Sequence, residues 1–353
     1  MPNLLNLTRY CVNDLPSLTK DGRRVLMICA LARFTLPKAG KPSTVPPTPT
    51  AEPPAPMFED VYHGEPGASS LQYEGQSTYF RPGTDIYLTG SAWAPKRRRV
   101  ESSLVDVRVG PCRKQVRVFG DRTWQRGLLG GAKLSAPEPF ESIPLVYERA
   151  FGGAIPRAEG KKPKWEPRNP VGCGMYESAS QAAGHPAPNL EDPNDLIASF
   201  GDRPAPQGFG PIARSWQPRV KFAGTYDEAW VNERAPLWPT DFDEQFFCAA
   251  APGLTTPSHL VGGEPVALVG VSPDGAYEFS LPRLRLFAKA RFRDRAERQP
   301  MTLDAVHFEP DAQTFTMIFR TVFGVGDGLQ YHTTTIVREL EVWELEETKA
   351  TRR

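Results

Sequence analysis

Residues 302–310 read TLDAVHFEP and residues 313–323 read QTFTMIFRTVF, and these two runs decide the fold. Both are rich in β-branched and aromatic residues, and the sequence EPDA at residues 309–312 is a strong turn signal between them. The pair therefore predicts two neighbouring antiparallel strands, with His307 inside the first.

The same pattern extends through the last third of the chain and returns in the first third. Further strands are predicted at EPVALVGV (264–271), AYEFSLP (276–282), RLRLFAKARF (283–292) and TTTIVRELEVWEL (333–345). From residue 84, the runs TDIYLTGSAW, SLVDVRVG and KQVRVFG predict an antiparallel meander. RRVLMICALARFTLP (23–37) suggests a buried strand, although its periodicity alone does not exclude a helix.

The expected fold is mainly β: antiparallel meanders in a β-sandwich-like body, with a long loop segment and a few short helices. We divide the chain into an N-terminal β region (1–146), a loop-rich segment (147–250) and a C-terminal antiparallel region (251–353), integrated into one domain. Residues 40–57, GKPSTVPPTPTAEPPAPM, predict a solvated proline-rich loop. A plain linker is favoured there over a ligand for a proline-binding module.

Composition excludes several classes of function. The net charge is +1, from 42 basic and 41 acidic residues, so neither nucleic acid nor an anionic membrane is an expected partner. No apolar run is long enough for a transmembrane helix, and the first residues, MPNLLNLTRYCVND, do not resemble a secretory signal. Five scattered cysteines fit free thiols in a reducing cytoplasm, which is the expected location.

Residues 147–247 differ from the rest, with 10 glycines, 13 prolines and 14 aromatic residues. Such a long segment with little regular structure is uncommon in a compact domain unless it has a function. Two short helices are predicted, one behind a capping box of Thr225 and Glu228, the other behind Asp241 and Glu244. Glycine, proline and aromatic residues together are typical of ordered loops that contact a partner.

Catalytic chemistry has weak support. Asp227 and the cluster of Asp241, Asp243 and Glu244 could act on a glycosidic bond, bind a sugar or hold a divalent ion. Carboxylates at helix starts, however, are more often caps. Cys173 lies in GCG without an identifiable basic partner. No motif predicts a cofactor or a metal site, and we expect no enzyme activity.

Two basic runs complete the list of candidate sites. Residues 96–99 read KRRR and residues 291–298 read RFRDRAER. Either could hold a phosphate group, but without interleaved aromatic residues a solvated turn is the favoured interpretation.

Six short motifs in residues 147–247 resemble the DUF2169 family in order and spacing. They are YERAFGG (147–153), NPVGCG (169–174), PNLEDP (188–193), GFGPIARSWQPR (208–219), AGTYDEAW (223–230) and PLWPTDFDEQFF (236–247). Upstream, GTDIYLTGSAWAP and VRVFGDRTW also fit, so the resemblance covers most of the chain.

The resemblance implies a cytoplasmic adaptor or chaperone of type VI secretion. Such a protein binds an effector, often one linked to a PAAR domain, and helps load it onto the VgrG spike; it needs no cofactor and no membrane insertion. The residues expected to form the architecture or the contacts of this segment are Glu148, Arg149, Phe151, Gly152, Gly153, Asn169, Pro170, Gly172, Trp216, Arg219, Tyr226, Asp227, Trp230, Asp241 and Phe242. Glu148 with Arg149, and Arg219 with Asp227, could form internal ion pairs.

Overall fold

The computed structural model describes residues 3–127, 131–155, 164–326 and 332–340. Their strands are β1 Asn3–Asn6, β2 Cys11–Leu18, β3 Arg24–Thr35, β4 Val61–Tyr62, β5 Leu71–Tyr73, β6 Asp85–Leu88, β7 Ser91–Trp93, β8 Ser102–Val109, β9 Cys112–Phe119, β10 Arg122–Arg126, β11 Ala132–Leu134, β12 Ser142–Pro144, β13 Phe151–Gly152, β14 Ala154–Ile155, β15 Lys164–Trp165, β16 Cys173–Gly174, β17 Pro186–Ala187, β18 Leu190–Glu191, β19 Pro265–Val269, β20 Tyr277–Ser280, β21 Leu286–Phe292, β22 Ala296–Pro300, β23 Thr302–Glu309, β24 Thr314–Gly324 and β25 His332–Glu339.

Helices are few and short in the described part of the chain. The α-helices are α1 Ala179–Ala182 and α2 Glu228–Glu233, and 3-10 turns occur at Pro95–Arg97, Tyr147–Arg149, Arg219–Phe222, Glu244–Phe247 and Pro310–Ala312. The expected mainly β fold is confirmed. Among the described residues, no helix has the length and apolar character needed to cross a membrane.

The first large sheet has the strand order β2-β3-β24-β23-β6. Strand β24 pairs antiparallel with β23, as predicted from residues 302–323, and on its other side it pairs antiparallel with β3. The run at residues 23–37 forms a strand rather than a helix. Nearly every residue of β3 is buried because its alternate faces pack into two different cores, with Ile28 in one and Met27 in the other.

The second large sheet has the order β18-β9-β8-β19-β20 and packs against the first. The ring of Phe279 in β20 lies 5.4 Å from that of Phe315 in β24 and 6.5 Å from that of Phe308 in β23, measured between centroids. Side chains of both sheets belong to one continuous hydrophobic core. This is the face-to-face packing of a β-sandwich.

The expected meander in the first third is wrong except for the β8–β9 hairpin. Strand β6 pairs in parallel with β23, and β7 pairs with β12. All four residues of β6 are buried. The strand therefore forms its backbone hydrogen bonds with β23 in the first large sheet, and not with β7, which follows it in sequence. The first large sheet therefore combines strands from the first and the last third of the chain, and the second joins strands at residues 102–119, 190–191 and 265–280.

The proline-rich loop lacks regular structure and is mostly exposed, as expected, but it packs on the body. The amide of Thr35 donates a hydrogen bond to the carbonyl of Thr48 at 2.9 Å. The amide of Thr50 donates to the carbonyl of Arg33 at 3.0 Å. These bonds occupy the edge of β3 beyond the end of β2. Residues 341–345 of the last predicted strand lie outside the described residues.

Candidate protein-interaction site

Residues 147–153 and 169–174 meet through buried backbone at what we call the glycine junction. Strands β13 and β16 pair there in parallel. The side-chain amide of the fully buried Asn169 donates to the carbonyls of Tyr147 at 2.8 Å and of Phe151 at 3.0 Å. Eight of the residues named from the sequence lie in this junction: Glu148, Arg149, Phe151, Gly152, Gly153, Asn169, Pro170 and Gly172.

The glycines of the junction leave no room for a side chain. A Cβ atom on Gly172 would lie 2.7 Å from the carbonyl oxygen of Ala150, and one on Gly152 would lie 2.9 Å from the Cβ of Asn169. Gly153 has a φ of 93°, which other residues rarely adopt, and its added Cβ would collide with the backbone of Gly172. These positions serve close backbone packing.

Glu148 and Arg149 point to different partners, so the internal ion pair considered for them does not form. The carboxylate of Glu148 accepts hydrogen bonds from the amide and the hydroxyl of Ser70, both at 2.7 Å. The Arg149 guanidinium donates to Asp121 at 2.8 Å and to Asn189 at 3.1 Å. Both residues therefore attach the junction to neighbouring loops.

Trp216 and Arg219 lie inside the protein, 5 % and 2 % exposed. The Trp216 ring meets the ring of Tyr147 edge-on, with centroids 5.7 Å apart. Arg219 donates to the carbonyls of Ile212 at 2.8 Å and Phe246 at 2.7 Å, and forms an ion pair with the buried Glu74. The pair considered between Arg219 and Asp227 is therefore absent.

Glu74 belongs to a buried polar network that sequence reasoning missed. Its carboxylate accepts hydrogen bonds from both Arg81 and Arg219, and Arg81 also donates to Asp85 at 2.5 Å and to the Tyr87 hydroxyl at 2.6 Å. Burial disfavours the charged form of Glu74, but the two guanidinium groups outweigh it and lower its pKa to about 2. Glu74 and Arg219 are 145 residues apart, so no local pattern could reveal their pairing.

Residues 225–241, which we call the protrusion, have the opposite character. Helix α2 contains no buried residue, and the side chains of Tyr226 and Val231 are 50 % and 60 % exposed. The Tyr226 ring meets the Trp230 ring edge-on at a centroid distance of 4.7 Å. A surface cavity of about 610 Å³, lined by both ends of this segment, lies beside the helix.

Two side-chain hydrogen bonds form within the protrusion, and a third attaches it to the body at Lys20. The indole nitrogen of Trp230 donates to the carbonyl of Leu237 at 2.8 Å. Arg234 donates to the carbonyls of Trp238 at 2.9 Å and of Lys20 at 3.0 Å. A six-residue helix is unstable by itself, so these bonds and its cap hold it in place.

Phe242, the last of the named residues, lies beneath the protrusion rather than on its surface. It is 5 % exposed and stacks on Trp238 with centroids 4.3 Å apart. Phe246 and Phe247 complete an aromatic cluster that also includes the buried Val25 of β3. This cluster joins the protrusion to the first sheet.

Two of the three candidate catalytic aspartates cap helical turns, but the caps are not the residues that we expected. Asp227, not Thr225, caps α2, accepting a hydrogen bond from the amide of Trp230 at 2.9 Å. Asp243, not Asp241, caps the 3-10 turn at Glu244–Phe247. Asp241 instead accepts hydrogen bonds from the amide of Thr225 at 2.9 Å and from its hydroxyl at 2.7 Å. The cause is geometric: a cap must immediately precede the first turn, and both turns begin two residues later than expected.

The described residues were also compared with the requirements of a metal site and of a reactive thiol. Within the described ranges, no three His, Cys, Asp or Glu side chains come together in a way that could hold a metal ion. Burial raises the pKa of the Cys173 thiol to about 11, which keeps it protonated and poorly nucleophilic at neutral pH.

The described residues therefore form a mainly β protein, in which a buried glycine junction and an exposed protrusion lie in one loop-rich segment. The sequence profile described as "Uncharacterized protein conserved in bacteria (DUF2169)" matches residues 21–320. The chain therefore belongs to the DUF2169 family. No curated protein and no solved structure matches it significantly.

Proposed function

We propose that this chain is a cytoplasmic adaptor, or chaperone, that binds a type VI secretion effector and helps load it onto the VgrG spike. The effector is often linked to a PAAR domain. Family membership supports the proposal, since residues 21–320 match the DUF2169 profile. The contact surface that we assign is the protrusion, residues 225–241.

One structural observation carries this assignment: the protrusion keeps apolar side chains exposed on a helix that is held in place. Single exposed apolar residues are common on protein surfaces and need no explanation. Here, however, Tyr226 immediately precedes the cap of a short helix without a buried side chain, and Val231 lies within that helix. The cap and three side-chain hydrogen bonds, one of them to Lys20 of the body, hold the helix in place. Tyrosine and tryptophan at a fixed position are typical of binding hot spots.

The alternative, a carbohydrate-active or carbohydrate-binding protein, has less support. It requires Asp227, Asp241 and Asp243 to face a sugar. Each of these carboxylates accepts a hydrogen bond from a backbone amide, at 2.9, 2.9 and 2.8 Å respectively. Their local structural roles explain their presence without catalysis, so we do not advance this function.

Co-expression with the proteins encoded by neighbouring genes, followed by size-exclusion chromatography, tests the proposal. We expect one neighbour to co-elute with the chain or to become soluble only in its presence. If no neighbour does either, the adaptor function is wrong.

A pair of double variants tests the assigned surface. Tyr226→Ser with Val231→Ser should weaken the complex at least about tenfold, because both side chains would lose apolar contact with the partner. The control is Val45→Ser with Val261→Ser, which changes residues that are 69 % and 55 % exposed outside the protrusion. Equal weakening by the control would contradict the assignment.

A further inference from the structure

The turn between β7 and β8 has an unusual backbone for its residues. Lys96 and Arg97 have φ angles of 53° and 56°, in the left-handed region that non-glycine residues rarely occupy. Among the described residues, only Gln313 is another non-glycine residue with positive φ. Two strained residues in succession suggest that the position of their side chains matters.

Contacts on both sides fix this turn. The amide of Lys96 donates to the carbonyl of Pro273 at 2.8 Å. The guanidinium of Arg97 donates to Glu141 at 2.9 Å and lies over the Trp93 ring, 4.8 Å from its centroid. The turn is therefore a rigid element rather than a freely moving loop.

The structure leaves three cations of this turn exposed and unneutralised. Lys96, Arg98 and Arg99 are all exposed, and their side chains make no hydrogen bond or ion pair with any other described residue. Within the described part of the chain, Arg97 is the one cation of this turn with an acidic partner, Glu141. Three like charges on a fixed four-residue turn repel one another, and an external anion would relieve that repulsion.

We propose that residues 96–99, the basic turn, are a second interaction surface that binds a carboxylate-rich surface of a partner protein. Arg98 and Arg99 offer planar guanidinium groups that match carboxylates in two-point hydrogen bonding. Nucleic acid is disfavoured because no exposed aromatic side chain interrupts the run and the net charge of the chain is only +1. The basic turn is separate from the protrusion, and the proposal does not rest on the adaptor function.

Binding of fluorescent poly-L-glutamate to the full chain tests this surface, with single-stranded oligo-dT as the competing probe. The test variant carries Lys96→Gln, Arg98→Gln and Arg99→Gln. The control carries Lys38→Gln, Arg126→Gln and Lys164→Gln, which removes the same charge from exposed cations elsewhere. Thermal unfolding of both variants checks that they fold, and neither set of residues is buried.

We expect the test variant to bind poly-L-glutamate about tenfold more weakly than the unmodified chain at about 0.05 M salt, while the control changes at most about twofold. The difference should disappear near 0.5 M salt, where charges are screened. Equal losses in both variants, or no binding by the unmodified chain, would overturn the proposal. Tighter binding of oligo-dT that the test variant loses would overturn it in favour of nucleic acid.

Discussion

The glycine junction and the protrusion belong to the same glycine-, proline- and aromatic-rich segment, yet they differ in what surrounds their backbone. In the junction, buried Asn169 bonds two carbonyls and Gly172 has no space for a Cβ. In the protrusion, no residue of α2 is buried. Composition alone therefore does not distinguish the buried glycine junction from the exposed protrusion. The distinction depends on where each part lies in the folded protein.

The same difference in burial separates the named residues into two groups, which we call the scaffold and the surface. Trp216 and Arg219 belong to the scaffold because they are buried against Tyr147 and Glu74. Tyr226 and Val231 belong to the surface because half or more of each side chain is exposed. The scaffold should therefore respond to mutation by losing stability, and the protrusion by losing a partner.

The largest effect on stability should come from Arg219→Leu. It leaves the buried Glu74 with one guanidinium partner fewer and two carbonyls without a donor, at a cost of about 3–5 kcal/mol. Urea unfolding measures this change. The control is Arg214→Leu, since Arg214 is partly exposed and 3.8 Å from Asp60, and it should cost at most about 1 kcal/mol. Similar costs would contradict the scaffold role of Arg219.

Acid should weaken the same network. The pKa of Glu74 is lowered to about 2 in the folded protein, so its charged form stabilises the fold above its usual pKa near 4.5. That stabilisation should be lost progressively as pH falls from about 4.5 to about 2. Glu74→Gln should flatten this part of the curve of unfolding free energy against pH. An unchanged slope would mean that Glu74 does not titrate in this way.

In the glycine junction, Gly172→Ala should cost about 1–3 kcal/mol because its methyl group would press on the Ala150 carbonyl and the Asn169 amide. Gly201→Ala lies in the same long segment and serves as the control. Its Cβ would meet only the Ser199 hydroxyl, at 3.6 Å. Guanidinium unfolding of both variants measures the difference, and equal stabilities would show that the junction is not tightly packed.

The smallest and most local effect should follow Asp227→Ala. Loss of this cap removes about 1 kcal/mol from helix α2. Because α2 contributes no buried side chain, the global free energy of unfolding should change by less than about 0.5 kcal/mol. Amide exchange in residues 228–233 should accelerate, whereas the control Glu228→Ala should leave it nearly unchanged. A large global loss would place α2 in the scaffold.

The sequence predicted local elements better than their partners. Strands β23 and β24 were predictable because their apolar runs and the turn between them are contiguous. Strand β6 was predicted as a strand, but its partner was not. Its partner β23 lies more than 200 residues further along the chain, where no local sequence pattern can reveal the pairing. Helix α2 and the 3-10 turn at Glu244–Phe247 were predicted, each with its cap displaced by two residues, whereas helix α1 was not predicted.

The candidate site was predictable only as a segment. Its motifs identify the family, but they do not separate buried Arg219 from exposed Tyr226. That distinction depends on Glu74, which lies outside the segment and outside any motif. Whether a charged side chain such as Arg219 is buried depends on the packed fold and cannot be inferred from the neighbouring residues in the sequence.

Hydrogen exchange of the chain, free and in complex with the partner that co-elutes with it, tests the central claim most directly. The amides of residues 225–241 should exchange more slowly in the complex, while those of residues 147–153 and 169–174 should exchange at the same slow rate in both states. Protection that appears in the glycine junction while the protrusion stays unchanged would contradict the division of the segment into scaffold and contact surface.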